Sequence, residues 1–196
     1  MRKLGSLAFA CAFLLGVSIT RAQEIDVAAG GGTLFSTRSS SSSLSTIVPP
    51  ERGGTYPSAS VQAVFKNHFG LNVEGAFRYH RALYNGYQNY RPVLYDVNGV
   101  YTSRINGRMR ADFMAGFGAQ TAVFYNQGTA CNLATCPTVI SSNHFLVHAG
   151  AGVPCHLLGR LFIRPEAHYY HIFGNTEFHS GDVLRLGASI GLVFGK

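Results

Sequence analysis

MRADFMAGFGAQTAVFY, residues 109–125, alternates in character through much of its length. One parity carries Met109, Ala111, Phe113, Ala115, Phe117, Ala119, Thr121, Val123 and Tyr125. The other carries Arg110, Asp112, Gly116, Gly118 and Gln120. Successive side chains on a β-strand point to opposite faces, so these two sets are the two faces of one long strand, with all of its charge on one face. The stretch is longer than the roughly 9–11 residues a tilted strand needs to cross a bilayer.

The same sorting recurs on both sides of it. In 71–80, Leu71, Val73, Phe77 and Tyr79 oppose Asn72, Glu74, Arg78 and His80. In 145–153, Phe145, Val147 and Val153 oppose His148, Gly150 and Gly152. In 161–171, Leu161, Ile163, Ala167 and Tyr169 oppose Arg164, Glu166, His168 and Tyr170, and Pro165 in their midst predicts a bulge. In 184–194, Leu184, Leu186, Ile190, Leu192 and Phe194 oppose Arg185, Gly187, Ser189 and Gly191. Shorter versions occupy Ile25–Ala29, Ala59–Phe65 and Val93–Asn98, the last with Asp96 on its polar face. These make eight strands. Their links alternate: long and Ser-rich at 36–55, tight at Lys66-Asn67-His68, long at 81–90, tight at Arg104-Ile105-Asn106-Gly107, long at 126–142, tight at His156–Gly159, and medium at 173–181. Asn-Gly favours a two-residue hairpin because both residues tolerate positive φ. Alternating short and long links predict an all-β, eight-stranded antiparallel up-and-down barrel with both termini at the short-turn end.

Composition agrees. The chain has 196 residues, of which 46% are hydrophobic, 12% aromatic and only 13% charged, with 23 Gly and no Trp. Soluble domains average about 25% charge. The chain is too apolar for disorder and too poor in Cys, with four, for a disulfide scaffold. Met1-Arg2-Lys3, an uncharged apolar run over Leu4–Ile19, and small residues at Thr20 and Ala22 have the layout of a secretory signal peptide. Domain expectations are therefore a signal peptide at 1–22 and one barrel at 23–196. Losing Arg2, Lys3 and Arg21 lowers the formal charge from +7 to +4, and no basic block remains, so nucleic acid is not an expected partner.

Alternation leaves open which face is outside. A soluble lipocalin-like barrel would turn its apolar face inward around a ligand. Here the apolar face is free of charge in all eight segments, the glycines share the charged face, and charge is scarce, as hydrocarbon outside requires. The expected lumen is a polar network of Glu74, Arg78, Asp96, Arg110, Asp112, Arg164, Glu166, His168 and Arg185, with Gln62, Asn72, Asn98 and His148, plugged by pairing of its acids with its arginines. In hydrocarbon an unpaired backbone group costs several kcal/mol, so such a sheet must close.

With its leader, eight patterned strands, alternating links and terminal Leu186–Phe194, the chain resembles the small outer-membrane β-barrel family, the eight-stranded OmpA/OmpX-like type. The resemblance implies location in an outer membrane, a monomer surrounded by outer-membrane lipid, and recognition of the C-terminal strand by the barrel-assembly machinery, although Gly195-Lys196 follows the terminal aromatic. It implies a structural or surface-interaction role, with loops facing an unidentified extracellular ligand. No cofactor, metal or catalytic residue is expected. His168 and His171 point to opposite faces, and no Ser stands two residues after a strand His as lipid A deacylation would need. A lipid A-modifying barrel enzyme and a soluble binding barrel are the alternative readings. Cys131 and Cys136 are expected to form a disulfide in a loop, and Cys155 is left over. Tyr79, Tyr90, Tyr125 and Phe194 are expected near the membrane interfaces.

Overall fold

The computed structural model describes residues 24–36, 51–65, 68–84, 86, 88–125, 139–178 and 180–195. Ten strands follow one another: β1 Glu24–Ser36, β2 Tyr56–Phe65, β3 Phe69–Phe77, β4 Ala82–Tyr84, β5 Gln88–Arg104, β6 Arg110–Tyr125, β7 Val139–Gly152, β8 Cys155–Leu158, β9 Leu161–Ile172 and β10 Asp182–Phe194. Eight long strands pair antiparallel in chain order, and β10 pairs with β1, so the sheet closes. β4 and β8 are short hairpin arms on β5 and β9.

The register fixes the barrel's shape. Partners run from Ile25 through Ala63, Leu71, Gly99, Ala115, Ala149, Tyr169 and Leu184 and return to β1 at Phe35, ten residues further along. With strand spacings of about 4.8 Å and rises of about 3.3 Å, that stagger tilts eight strands by roughly 40°. A barrel of this size has an interior that side chains alone can fill.

The faces sort as the alternation predicts. Phe113 and Ile190 are 53% and 51% exposed on the outside, while Glu74, Arg110 and Arg185 are 3%, 8% and 1% exposed inside. Gly118 shows why small residues share the lumen face. A Cβ there would fall 2.0 Å from the Tyr95 carbonyl oxygen and 2.8 Å from Asp96 Cβ.

Several local expectations need correction. β3 stops at Phe77, so Tyr79 and His80 lie beyond the strand. The link 81–90 is largely ordered as the β4–β5 hairpin. The Asn106-Gly107 turn is not built on positive φ at Gly107. Asn106 Oδ1 instead accepts the backbone N–H groups of Arg108 and Met109, each at 2.9 Å. The left-handed glycine of the tight turns is Gly159, with φ of +55° between β8 and β9. Pro165 makes no bulge against β10, where it pairs in register with Ala188. Across from it β7 ends before Val153-Pro154 and pairing resumes in the same register as β8; the register shift lies further on, between His156 and Leu158. Pro165 has no N–H to offer Val153, whose carbonyl lies 3.5 Å from the Cys155 thiol. The leader and the Cys131–Cys136 pair lie outside the described residues.

Candidate functional site: the lumen

The lumen holds three tiers. Nearest the tight turns, Arg110 on β6 reaches Glu24 and Asp26 on β1 with its two terminal nitrogens, and its Nε lies 3.0 Å from Asp112 Oδ1. Gln62 Nε2 donates to Asp112 Oδ2 at 3.1 Å. Arg110 and Asp112 share a face because they are two apart on one strand. Asp26 and Gln62 are direct cross-strand partners. A cavity of about 450 Å³ opens beside this tier, with Glu24, Arg104, Arg108, Arg110 and His156 among its walls.

At mid-height, Arg164 Nε donates to Glu166 Oε2 at 2.8 Å, and its terminal nitrogen to Ser60 Oγ at 3.0 Å. Arg185 bridges Glu74 and Glu166, two carboxylates that stand on opposite walls of the barrel. Asp96 finds an amide rather than an arginine, because Asn98 Nδ2 donates to it and to Asn72 Oδ1. The chain of contacts continues from Asn98 Oδ1 to His148 Nδ1 at 2.6 Å, and from His148 Nε2 to His168 Nδ1 at 3.0 Å. Tyr170 stacks on His148, with centroids 4.8 Å apart.

Toward the long-loop end the filling turns apolar. Leu34, Tyr56, Leu94, Leu146, Tyr170, Ile172 and Val183 form one buried cluster. Above it Tyr90, Ala122, Phe124 and Phe178 form another. Tyr90, expected at a membrane interface, therefore points inward and is buried. Phe178 belongs to residues 173–178, which fold over the mouth. Tyr84 donates its hydroxyl to the Glu177 carbonyl at 2.8 Å, and His144 Nε2 lies 2.9 Å from Glu177 Oε2.

The predicted network residues are thus brought together in two ionic groups, with one departure. Arg78 is past the end of β3, half-buried at the loop end, with its guanidinium 5.9 Å from the Tyr90 ring centroid and a nitrogen 3.4 Å from the Tyr90 hydroxyl. It is not an inner partner of the mid-height acids. Glu24, Asp26, Ser60 and Glu51 join the interior from outside the predicted set. Asp26 stands between Ile25 and Val27, on the parity opposite to their outward side chains, so its inward direction is legible in the pattern. Glu51 lies in a link and left no periodic signal. It is fully buried, bonded by Gln120, and burial pushes its carboxyl up to about 7 against the lowering pull of that bond and of Arg78.

His171 faces outward at the loop-end rim, where Asp182 Oδ1 lies 2.7 Å from His171 Nδ1 and accepts the Tyr169 hydroxyl at 2.6 Å. The carboxylate orients the imidazole, but the third group in contact is a tyrosine, not the Ser or Cys of an acyl-transfer triad.

No family model matches the chain, and no curated protein does. Solved structures do. The N-terminal β-barrel domain of Pseudomonas aeruginosa OprF aligns over 88% of this chain and 98% of its own, with a TM-score of 0.58 and 12% identity. Neisserial surface protein A aligns over 87% of this chain and 96% of its own, with a TM-score of 0.60 and 12% identity. Ail, the attachment invasion locus protein of Yersinia pestis, aligns over 88% of this chain and 99% of its own, with a TM-score of 0.57 and 14% identity. Identities this low carry the architecture and nothing finer. With its apolar belt, closed sheet and ionic filling, the chain has the fold of the small eight-stranded outer-membrane β-barrels.

Proposed function

We propose that the protein is an integral outer-membrane barrel with a structural or surface-interaction role, a closed polar lumen and no open pore. The observation that carries this reading is the pairing of an exposed apolar exterior with an interior filled along its length. Phe113, Phe117, Phe145 and Ile190 stand out from the wall at heights where Arg164, Arg185 and Glu166 are sealed inside. Such a surface is stable in hydrocarbon and would aggregate in water. Among the described residues, the apolar clusters beneath residues 173–178 interrupt the polar lining toward the loop end, which supports a closed lumen. In the membrane orientation we infer, residues 1–22 are a cleaved leader, the termini and tight turns face the periplasm, and the links 36–55, 81–90, 126–142 and 173–181 face outward. We further read the protein as a monomer inserted by the barrel-assembly machinery through β10.

The test is fractionation followed by gel mobility. The protein is expected in the detergent-soluble outer-membrane fraction, running as a compact band unless boiled in SDS. Recovery from the soluble periplasm would end this reading. In planar bilayers it is expected to show no steady conductance, and a stable open channel would contradict the closed lumen. Lipid A mass spectra are expected to be unchanged by expression, and altered acyl chains would favour an enzyme instead.

A further inference from the structure

At mid-height Glu74 on β3 meets Glu166 and His168 on β9, the opposite wall of the barrel. One oxygen of each carboxylate and one imidazole nitrogen all lie within 4.8 Å of one another. All three side chains are almost completely buried, at 1%, 2% and 0% exposure.

Each of the three is held by its other atom. Glu74 Oε1 accepts from Arg185. Glu166 Oε2 accepts from Arg164 Nε at 2.8 Å and from Ser189 Oγ at 3.1 Å. His168 Nδ1 meets His148 Nε2 at 3.0 Å. What remains is Glu74 Oε2 and His168 Nε2, neither with a hydrogen-bond partner among the described residues, and Glu166 Oε1, which lies 3.6 Å from His168 Nε2.

The bonding chain sets the tautomers. The Asn98 amide N–H donates to the Asp96 carboxylate, so its carbonyl oxygen faces His148 Nδ1 and must accept. In the neutral pair, His148 Nδ1 then carries the proton and its Nε2 a lone pair. His168 Nδ1–H donates to that lone pair, which leaves a lone pair on His168 Nε2, 3.6 Å from Glu166 Oε1, while Glu74 Oε2 lies 3.9 Å from Nδ1 of the same ring. Three acceptors face one another, and the donor beside them is Arg185, with a nitrogen 3.7 Å from Glu166 Oε1. With both imidazoles neutral, Glu74, Asp96 and Glu166 meet Arg164 and Arg185 with one negative charge in excess, which either a metal ion or a proton on His168 would offset.

We propose that Glu74, Glu166 and His168 bind one divalent first-row transition ion, with Zn²⁺ as the probe. Zinc bonds of about 2.0–2.2 Å to imidazole nitrogen and carboxylate oxygen place such ligand atoms roughly 3.4 Å apart, close to the separation of His168 Nε2 and Glu166 Oε1. The partners of the three ligands do what outer-shell partners do, fixing each ligand's direction and the imidazole's tautomer. Arg185, with a nitrogen 3.7 Å from Glu166 Oε1, opposes the ion, and the anionic excess offsets it. The ion ties β3 to β9 across the lumen and is captured as the barrel closes, because the finished site is sealed.

The experiment refolds the tag-free full chain in detergent with Zn²⁺, strips loosely held metal with a chelator, and measures bound metal by mass spectrometry. About one Zn²⁺ per barrel is expected, falling at least ~10-fold in Glu74→Gln and in His168→Gln while His144→Gln keeps its metal. Refolding wild type with Co²⁺ removes dependence on the variants and is expected to give the visible bands of a low-coordinate site. A colourless, metal-free wild-type barrel would overturn the proposal. So would equal metal in His168→Gln, or an imidazolium nitrogen shift at His168 showing that a proton fills the centre.

Discussion

From the tight turns to mid-height the barrel is filled with ions: Arg110 among Glu24, Asp26 and Asp112, then Arg164 and Arg185 among Glu74 and Glu166. From mid-height to the loop end the same lumen is filled by Leu34, Leu94, Leu146, Ile172 and Val183 beneath Tyr90, Phe124 and Phe178. The two fillings fail differently. An ion group is specific and brittle, because losing one member strands the rest with little water to solvate them. An apolar plug loses only transfer energy and packing when trimmed, and neighbours relax partly into the gap. The plug also dries the mouth, which is why Glu51 is held toward its neutral form.

The largest effect is expected in the ionic half. Arg110→Leu leaves Glu24, Asp26 and Asp112 facing one another and should cost about 3–5 kcal/mol of unfolding free energy in detergent, read by urea titration of tyrosine fluorescence. Substituting Arg110 and all three acids by apolar residues together should recover much of that loss. In the apolar half, Leu94→Ala should cost about 2–4 kcal/mol, and the outward Leu71→Ala roughly half as much, because lipid fills the gap outside and nothing fills it inside. Equal costs would mean that the plug is loosely packed. Ile190→Arg carries charge onto the lipid face and should cost about 2–3 kcal/mol in bilayers. If that substitution proves neutral, residue 190 is not at the membrane's mid-depth.

The smallest effect is pH-dependent and belongs to the mouth. The Glu51 carboxyl has an ordinary value of 4.5 and rises to about 7 in the folded barrel, so the folded state keeps a proton that the unfolded chain releases between those values. Its contribution is fully present below about pH 4.5, declines as pH rises to about 7, and is flat beyond, a change of roughly 1–3 kcal/mol. Glu51→Gln should remove that slope. A wild-type slope that Glu51→Gln leaves unchanged would show that Glu51 is solvated in solution.

How much of this was legible depends on whether a residue speaks through periodicity. Arg185, Glu166, Arg164, Asp112 and Asp96 each stand in a strand whose apolar parity is clean, so their inward direction follows from position alone. Arg78 has the right parity, but its strand stops one residue short, and strand ends depend on pairing partners that a single segment does not reveal. Leu34, Leu94 and Leu146 are apolar on the polar face, and alternation has no way to mark an inward leucine. The plug is therefore invisible in pattern. Glu51 and Phe178 come from links, where no period exists. The His168 environment is legible only by halves. Its i−2 neighbour Glu166 follows from the strand, while Glu74 arrives from across the barrel.

What the chain determined by itself is the wall: strands of sufficient length, a face for lipid, a face for the lumen, and links short at one end and long at the other. These are local consequences of a two-residue period and of where turns are cheap. The ten-residue stagger and the particular partners inside were decided only in three dimensions. Register couples residues more than a hundred positions apart, such as Glu74 and Arg185, and the energy that selects it exists only once eight strands share one narrow interior.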